Sequence, residues 1–389
     1  MAVETMQRFT EFDVAVVNEG ESVLVNLLEA LRKGVSLKSV NGILFRENHA
    51  VVTTPRAPII DDLDNLPIPA WDLLKGFPDE FKPAIFDYPS GPVATIAASR
   101  GCPFHCKFCD TSTFGARVRA YSPEAVYSLM KHLKENYGIR HIMFVDDQFL
   151  ASRIRTSKLC ELLIENKLNM TWSCTARVDT AKPDVLKLMK KAGCWEISFG
   201  LESGSNDLLQ KMDKLARIEL SEQAVNWTHS AGIRCKGLFM LGYPGETMQT
   251  IEQTKAFLLR LPMTTMNLSK FTPHPGSPIY RDICGTNIKE DHWKKMNGMN
   301  FVWSLQGLTV EELDREYQYV LLSFYKQKRV MHKCAIMAVR YPIHILRFCI
   351  FGLGFVKAKL NSFKEGRRGV LIKTDHQNLD EGFTNKLTR

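Results

Sequence analysis

Between residues 93 and 273 the chain predicts a parallel α/β sheet of six strand–helix units, fewer than the eight of a closed barrel. Three observations carry this. Short apolar runs rich in β-formers alternate with longer segments of helical pattern. The repeat is about 25–45 residues, the length of a strand plus its crossover helix. A cysteine-rich loop follows the first strand, at the carboxyl end where such folds place their chemistry.

The first strand is the apolar run 93–99. Its helix, 123–137, starts with Ser122 as N-cap and Pro123 in the first helical position, and stops at Gly138. A second strand at 141–145 leads to a helix at 154–166. A third at 170–176 leads to a helix at 183–192, closed by Gly193. After the fourth strand, 195–201, the long helical stretch 206–231 is expected to be broken. The fifth strand, 234–241, the helix 247–259 and the sixth strand, 266–271, complete the series. The chain divides into an N-terminal stretch, 1–75, this core, 76–285, and a mostly helical, basic extension, 286–389.

The net charge of +9 is local. Between Lys326 and Lys373 twelve Lys/Arg face one acid, Glu365, which leaves the other 341 residues at −2. Nucleic acid is not the expected partner, because those basic residues alternate with aliphatic bulk rather than with aromatic stacking positions. Within 335–356, Arg340, Pro342, His344 and Arg347 interrupt an apolar stretch, and the longest uncharged run after Arg347 is nine residues. A membrane span needs about 20. Two readings stand: a helical cap on the barrel, which is the first expectation, and a helix lying on an anionic membrane surface. The N-terminus lacks a signal-peptide layout, so the expected location is cytoplasmic, peripheral to the inner membrane face if the basic segment touches lipid.

The cysteine loop reads Arg100-Gly101-Cys102-Pro103-Phe104-His105-Cys106-Lys107-Phe108-Cys109, a C-x3-C-x2-C cluster. Ten cysteines placed at random in this length give about 0.007 matches to the spacing. Three thiolates cap three irons of a [4Fe–4S] cube and leave the fourth iron open to a ligand. Zinc is the alternative, with His105 as fourth ligand, but the histidine sits awkwardly inside a tight loop. A disulfide suits a reducing compartment poorly. The other seven cysteines are scattered singly and read as small core residues.

With these motifs in this order, residues 92–280 resemble a radical S-adenosylmethionine (SAM) enzyme, closest to the group that carries a cobalamin-binding domain. The resemblance implies an open (β/α)6 partial TIM barrel, a [4Fe–4S] cluster on Cys102, Cys106 and Cys109, and SAM bound to the open iron through its amino and carboxylate groups. Reductive cleavage then gives methionine and a 5′-deoxyadenosyl radical that takes hydrogen from an unactivated carbon. Phe108 matches the family's neighbour of the adenine, or simply packs beneath the loop. Asp146 and Asp147, ending the second strand, match the site of the SAM amino group; a helix N-cap is the other reading of Asp147. Arg177 lies where a guanidinium reaches a carboxylate, or else forms a surface ion pair. Glu202 and Ser203 resemble the ribose ligands, and Gly245, in Gly242-Tyr243-Pro244-Gly245-Glu246, resembles the adenine-side loop. His274 and Tyr280 close the sixth unit; for His274 an idle loop position is the simpler reading. The sequence names no catalytic residue.

Residues 12–21 and 59–71 resemble the boundary between a cobalamin domain and its barrel. At most the last strand and helix of such a domain are present, and no D-x-H-x-x-G supplies its histidine ligand. This implies a truncation or the loss of cobalamin, and weighs against cobalamin as a cofactor of this chain. The expected function is radical C–H activation of a small-molecule or lipid-like substrate, with methylation, cyclisation and oxidation undecided. The expected partner is an electron donor such as flavodoxin or ferredoxin. The alternative is a non-catalytic iron–sulfur or zinc-binding module.

Overall fold

The computed structural model describes residues 2–84, 86–284, 295–302 and 307–341. The tail after 341, which holds most of the 335–356 segment and of the basic surplus, lies outside the described residues.

The N-terminal part comprises α1 (Ala2–Arg8), β1 (Val14–Val16), α2 (Glu21–Lys33), β2 (Ile43–Glu47) and β3 (Ala50–Thr53). The three strands form an antiparallel sheet in the order β1-β2-β3. Val23, Leu27 and Ala30, one face of α2, bury against Ile43 and Phe45. This stretch has its own small core.

The core runs β4 (Val93–Ile96), β5 (Ser99–Arg100), β6 (Arg119–Ala120), α3 (Pro123–Tyr137), β7 (His141–Phe144), α4 (Arg153–Glu165), β8 (Thr171–Ala176), α5 (Pro183–Lys191), β9 (Cys194–Glu202), α6 (Asn206–Lys211), α7 (Ile218–Ser230), β10 (Arg234–Leu241), α8 (Met248–Arg260) and β11 (Thr265–Lys270). Six strands form one sheet in the order β11-β10-β9-β8-β7-β4, every neighbouring pair parallel. β4 and β11 end the sheet without meeting, which makes an open six-unit partial barrel. Its outer layer packs around Phe144, Phe149 and Trp172, whose ring centroids lie 4.5–5.7 Å apart.

The helix signals act as expected. Ser122 Oγ accepts the Ala125 N–H at 3.1 Å and Gly138 turns left-handed at φ 64°. The long helix breaks into α6 and α7 around Asp213 (φ 52°) and Leu215 (φ 53°). The expected strand 93–99 is divided: β5 leaves the sheet to pair with β6, because the chain must close the neck of the cysteine loop.

Helices α9 (Pro278–Cys284), α10 (Val310–Tyr325) and α11 (Lys328–Arg340) follow. α10 covers the terminal strand β11: Tyr317 Oη donates to Leu268 O and Tyr325 Oη to Met266 O, each at 2.9 Å. That occupies carbonyls a bare sheet edge would expose. Arg329 and Lys333 of α11 donate to the Leu259 and Pro262 carbonyls. No described helix is long and apolar enough to cross a membrane.

Candidate cluster and cofactor site

The loop that carries Cys102, Cys106 and Cys109 leaves from β5 and returns through β6. Gly101 makes the exit possible: its φ is +88°, and a Cβ there would lie 2.4 Å from Arg117 O. Inside the loop Cys102 N donates to Gly115 O and Cys109 N to Cys106 O. All three thiols are free; Cys106 is buried, Cys102 half-buried and Cys109 exposed.

Three neighbouring elements hold this loop. Asp146, buried at the end of β7, accepts the Ala98 N–H and the Ser99 hydroxyl, while Asp147 accepts the Gly101 N–H at 3.0 Å. Burial pushes the Asp146 carboxyl up, and those hydrogen bonds oppose the shift. From one side Lys107 N donates to Met212 O, and from the other Ile279 N donates to Lys107 O. Both aspartates are thus engaged with the backbone below the cysteines, and Asp147 is not a helix cap.

Two charged groups stand against the loop. Arg177, buried, donates to Asp179 and to Lys214 O, stacks on Phe104 at 3.5 Å, and points Nη1 at Cys106 Sγ, 3.8 Å away. It is therefore not a surface ion pair. Glu202 accepts Lys214 Nζ at 2.7 Å, and the same ammonium lies 5.6 Å from the centre of the Phe108 ring. A bulge aims Glu202: Leu238 pairs with Gly200 and Phe239 with Glu202, and Glu202 sits at φ 60°. Gly200 keeps the space open, since a Cβ there would come within 2.5 Å of Glu202 Oε1.

Ser203 does not join this group. Its hydroxyl is bonded to Thr254 Oγ1 at 3.1 Å and accepts the Ser205 N–H. Gly245 (φ +86°) forms the turn after β10, where Lys211 Nζ lies 3.5 Å from Gly245 O. Glu246 folds back into that turn, buried, and accepts the Gly242 N–H. His274 is exposed, and the loop at Gly276 abuts the Asp110 carboxylate next to Cys109. Sequence reasoning missed Lys214, Asp179 and Gln148. Lys214 falls in a helix break, where nothing marks a buried ammonium, and Gln148 is one more polar residue after the second strand.

The residues fit a cluster with an open coordination position. Burial raises the Cys106 thiol; loss of water around its sulfur, then the neighbouring Cys106 and Cys102 sulfurs, push Cys109 up to about 11, although the residue as a whole is exposed. Three thiolates this close need a cationic partner, which bound iron supplies. Among the described residues no His, Cys, Asp or Glu triad converges on a single point. A cube presents three separate irons, so its thiolates need not meet as the ligands of one tetrahedral zinc must. Two buried polar atoms near the strand ends, Gln148 Nε2 and Glu246 Oε1, lack a partner among the described residues, as expected where a polar ligand belongs.

Comparison with known proteins agrees. The Radical SAM superfamily profile matches residues 96–258. Over 331 residues the chain is 32% identical to an uncharacterized methyltransferase of Pyrococcus horikoshii, covering 85% of this chain and 71% of that protein. It is 28% identical over 327 residues to the anaerobic magnesium-protoporphyrin IX monomethyl ester cyclase of Cereibacter sphaeroides, covering 82% of this chain and 52% of the cyclase. Among solved structures, the methyltransferase TsrM from Kitasatospora setae, with cobalamin and a [4Fe–4S] cluster bound, superposes with TM-score 0.60 at 18% identity, over 73% of this chain and 55% of that one. The cobalamin-dependent enzyme OxsB gives 0.58 at 22%, over 69% of this chain and 38% of its own. The chain thus spans about half the length of several relatives it matches. It belongs to the radical SAM superfamily, enzymes that work with a [4Fe–4S] cluster and S-adenosylmethionine.

Proposed function

We propose that Cys102, Cys106 and Cys109 hold the cluster, that SAM lies between it and the group formed by Phe108, Glu202 and Lys214, and that the enzyme carries out methyl transfer or ring closure at an unactivated carbon. The bound cofactors supply a 5′-deoxyadenosyl radical for hydrogen abstraction. What carries the reading is the meeting of a buried Glu202–Lys214 pair with Phe108 beside a loop fixed from three sides. Glu202 offers a carboxylate to ribose hydroxyls, and Phe108 an aromatic face to the adenine. Arg177 keeps positive charge at Cys106, and Asp146 and Asp147 put negative charge at the loop base, which favours the SAM ammonium. Gly245 lets the turn after β10 come close to the base. Ser203, spent on Thr254, acts by fixing the backbone after Glu202. No residue is assigned to cobalamin.

The substrate is a small molecule of apolar or lipid-like character. Val145, Leu215 and Met248 are exposed apolar side chains on segments that follow β7, α6 and β10, and are consistent with that class. A flavodoxin or ferredoxin is the proposed reductant. We also place α11 on an anionic membrane surface, since its outward face carries Met331, Ile336 and Val339 between Lys328 and Arg340 and the helix contains no acid.

Anaerobic reconstitution followed by iron, sulfide and 5′-deoxyadenosine measurement tests the central claim. About four irons and four sulfides per chain are expected, with SAM cleavage lost in each Cys→Ala variant. Stoichiometric zinc without iron overturns it.

A further inference from the structure

The neck of the cysteine loop contains an electrostatic problem. In the β5–β6 pair Arg100 stands directly opposite Arg119. Like charges in that register repel and favour an open neck. A single carboxylate from the N-terminal part answers both. Glu19 accepts Arg100 Nη1 at 2.7 Å on Oε1, and Arg119 Nη1 at 2.9 and 2.8 Å on Oε1 and Oε2. Glu19 and Arg119 are 5% and 4% exposed, so the attraction is poorly screened. Glu19 Oε2 also takes the Ile60 N–H, and Arg119 donates to Phe114 O inside the loop. Glu21 holds the other arm of Arg100, and Asp61 holds Arg117.

We propose that Glu19 is a positioning residue for the cluster: by neutralising the facing guanidiniums of Arg100 and Arg119 it keeps the loop neck closed and fixes Cys102, two residues beyond Arg100. The N-terminal part then belongs to the working site although it contributes no ligand. The inference rests on the proposed assignment of the three cysteines, and its test separates the two.

Trypsin cleaves after arginine, so digestion of the protein without iron at Arg100, Arg117 and Arg119 reads neck opening independently of any cluster. Glu19→Gln is expected to speed these cuts about tenfold or more, since charge-assisted hydrogen bonds at a buried arginine are lost. Cleavage elsewhere in the barrel and far-ultraviolet circular dichroism stay as in the wild type. After reconstitution the variant holds less iron, and the paramagnetic spectrum of its reduced cluster broadens; a residue that only anchors the N-terminal part leaves that spectrum unchanged. If Glu19→Gln does not fold, Glu19→Asp, which keeps the charge but withdraws it from the two guanidiniums, takes its place in the same digestion, with faster cuts again expected. Wild-type digestion rates in the folded variant, or an unchanged cluster spectrum, overturn the proposal. A wild-type protein that takes up no iron defeats the cysteine assignment, while the digestion still judges Glu19.

Discussion

Glu202 occupies the left-handed region at φ 60°, which costs a non-glycine residue on the order of 1 kcal/mol, and it holds a buried lysine while doing so. A strained, charged, buried residue at a strand end marks a binding function more firmly than a packing one. Glu202→Gln keeps the shape and removes the charge. It should leave the iron content unchanged and weaken SAM binding by about 1–3 kcal/mol, roughly 5- to 150-fold in Kd by titration calorimetry. Equal affinity with a full cluster would mean the ribose lies elsewhere. Glu246 behaves differently. Burial pushes its carboxyl up to about 8, against the Gly242 and Tyr243 backbone hydrogen bonds. The folded protein therefore prefers Glu246 protonated, and the stability tied to it is full below the usual carboxylate range and declines as pH rises toward about 8. Glu246→Gln should flatten that decline in thermal unfolding between pH 5 and about 8.5; an unchanged slope would show that ionised Glu246 is solvated in the fold. The proposed ligands Cys102, Cys106 and Cys109 and the proposed SAM contact Glu202 could be picked out in the sequence because chemistry restricts what can stand at those places in a strand–loop pattern. Lys214 and Glu19 were not, because what makes each important is a partner 12 and about 100 residues away in sequence.

At the level of elements, the strands and helices of the barrel were readable from periodicity and punctuation, since Ser122, Gly138 and the apolar runs act locally. The division of 93–99 into β4 and β5 was not, because β5 exists only to pair with a strand 19 residues later. Nor was the fate of the sheet's last strand. β11 gains its cover from α10, and two tyrosine hydroxyls reach alternate carbonyls, those of Met266 and Leu268. Their side chains are amphipathic, packing the ring against the helix layer and placing the hydroxyl on the edge. Tyr317→Phe and Tyr325→Phe should each lower stability by about 0.5–1.5 kcal/mol in urea unfolding, and the pair should sum, because the residues contact different carbonyls. A double variant as stable as wild type would show that water satisfies those carbonyls equally well and that α10 is held by apolar contact alone.

Across the whole molecule, basic charge is sorted to one end of the chain. The basic surplus lies after Lys326, and within it α11 is two-faced: Val330 and Met337 are buried against the barrel, while Met331, Ile336 and Val339 are 58, 49 and 81% exposed. The buried side of α11 packs as the cap reading expects, and its exposed side is where the proposed membrane contact would lie. The exposed face mixes Met331, Ile336 and Val339 with Lys328 and His332, Arg340 lies at its side, and with no acid on the helix this face suits the boundary of an anionic lipid layer. Each basic residue near such a surface contributes up to about 1 kcal/mol, attenuated beyond a Debye length of about 8 Å at physiological salt. Truncation is a poor test, since it would uncover barrel surface. Replacing Met331, Ile336 and Val339 by Gln leaves Val330 and Met337 in place. The wild-type protein should sediment with vesicles containing phosphatidylglycerol, less so with neutral phosphatidylcholine, and less again as salt rises. The triple variant should stay in the supernatant with unchanged thermal unfolding. Equal sedimentation of both proteins would remove α11 from the contact. No sedimentation of either would leave its outer face as a surface with no affinity for lipid, and a lipid-like substrate would then have to reach the barrel mouth from solution.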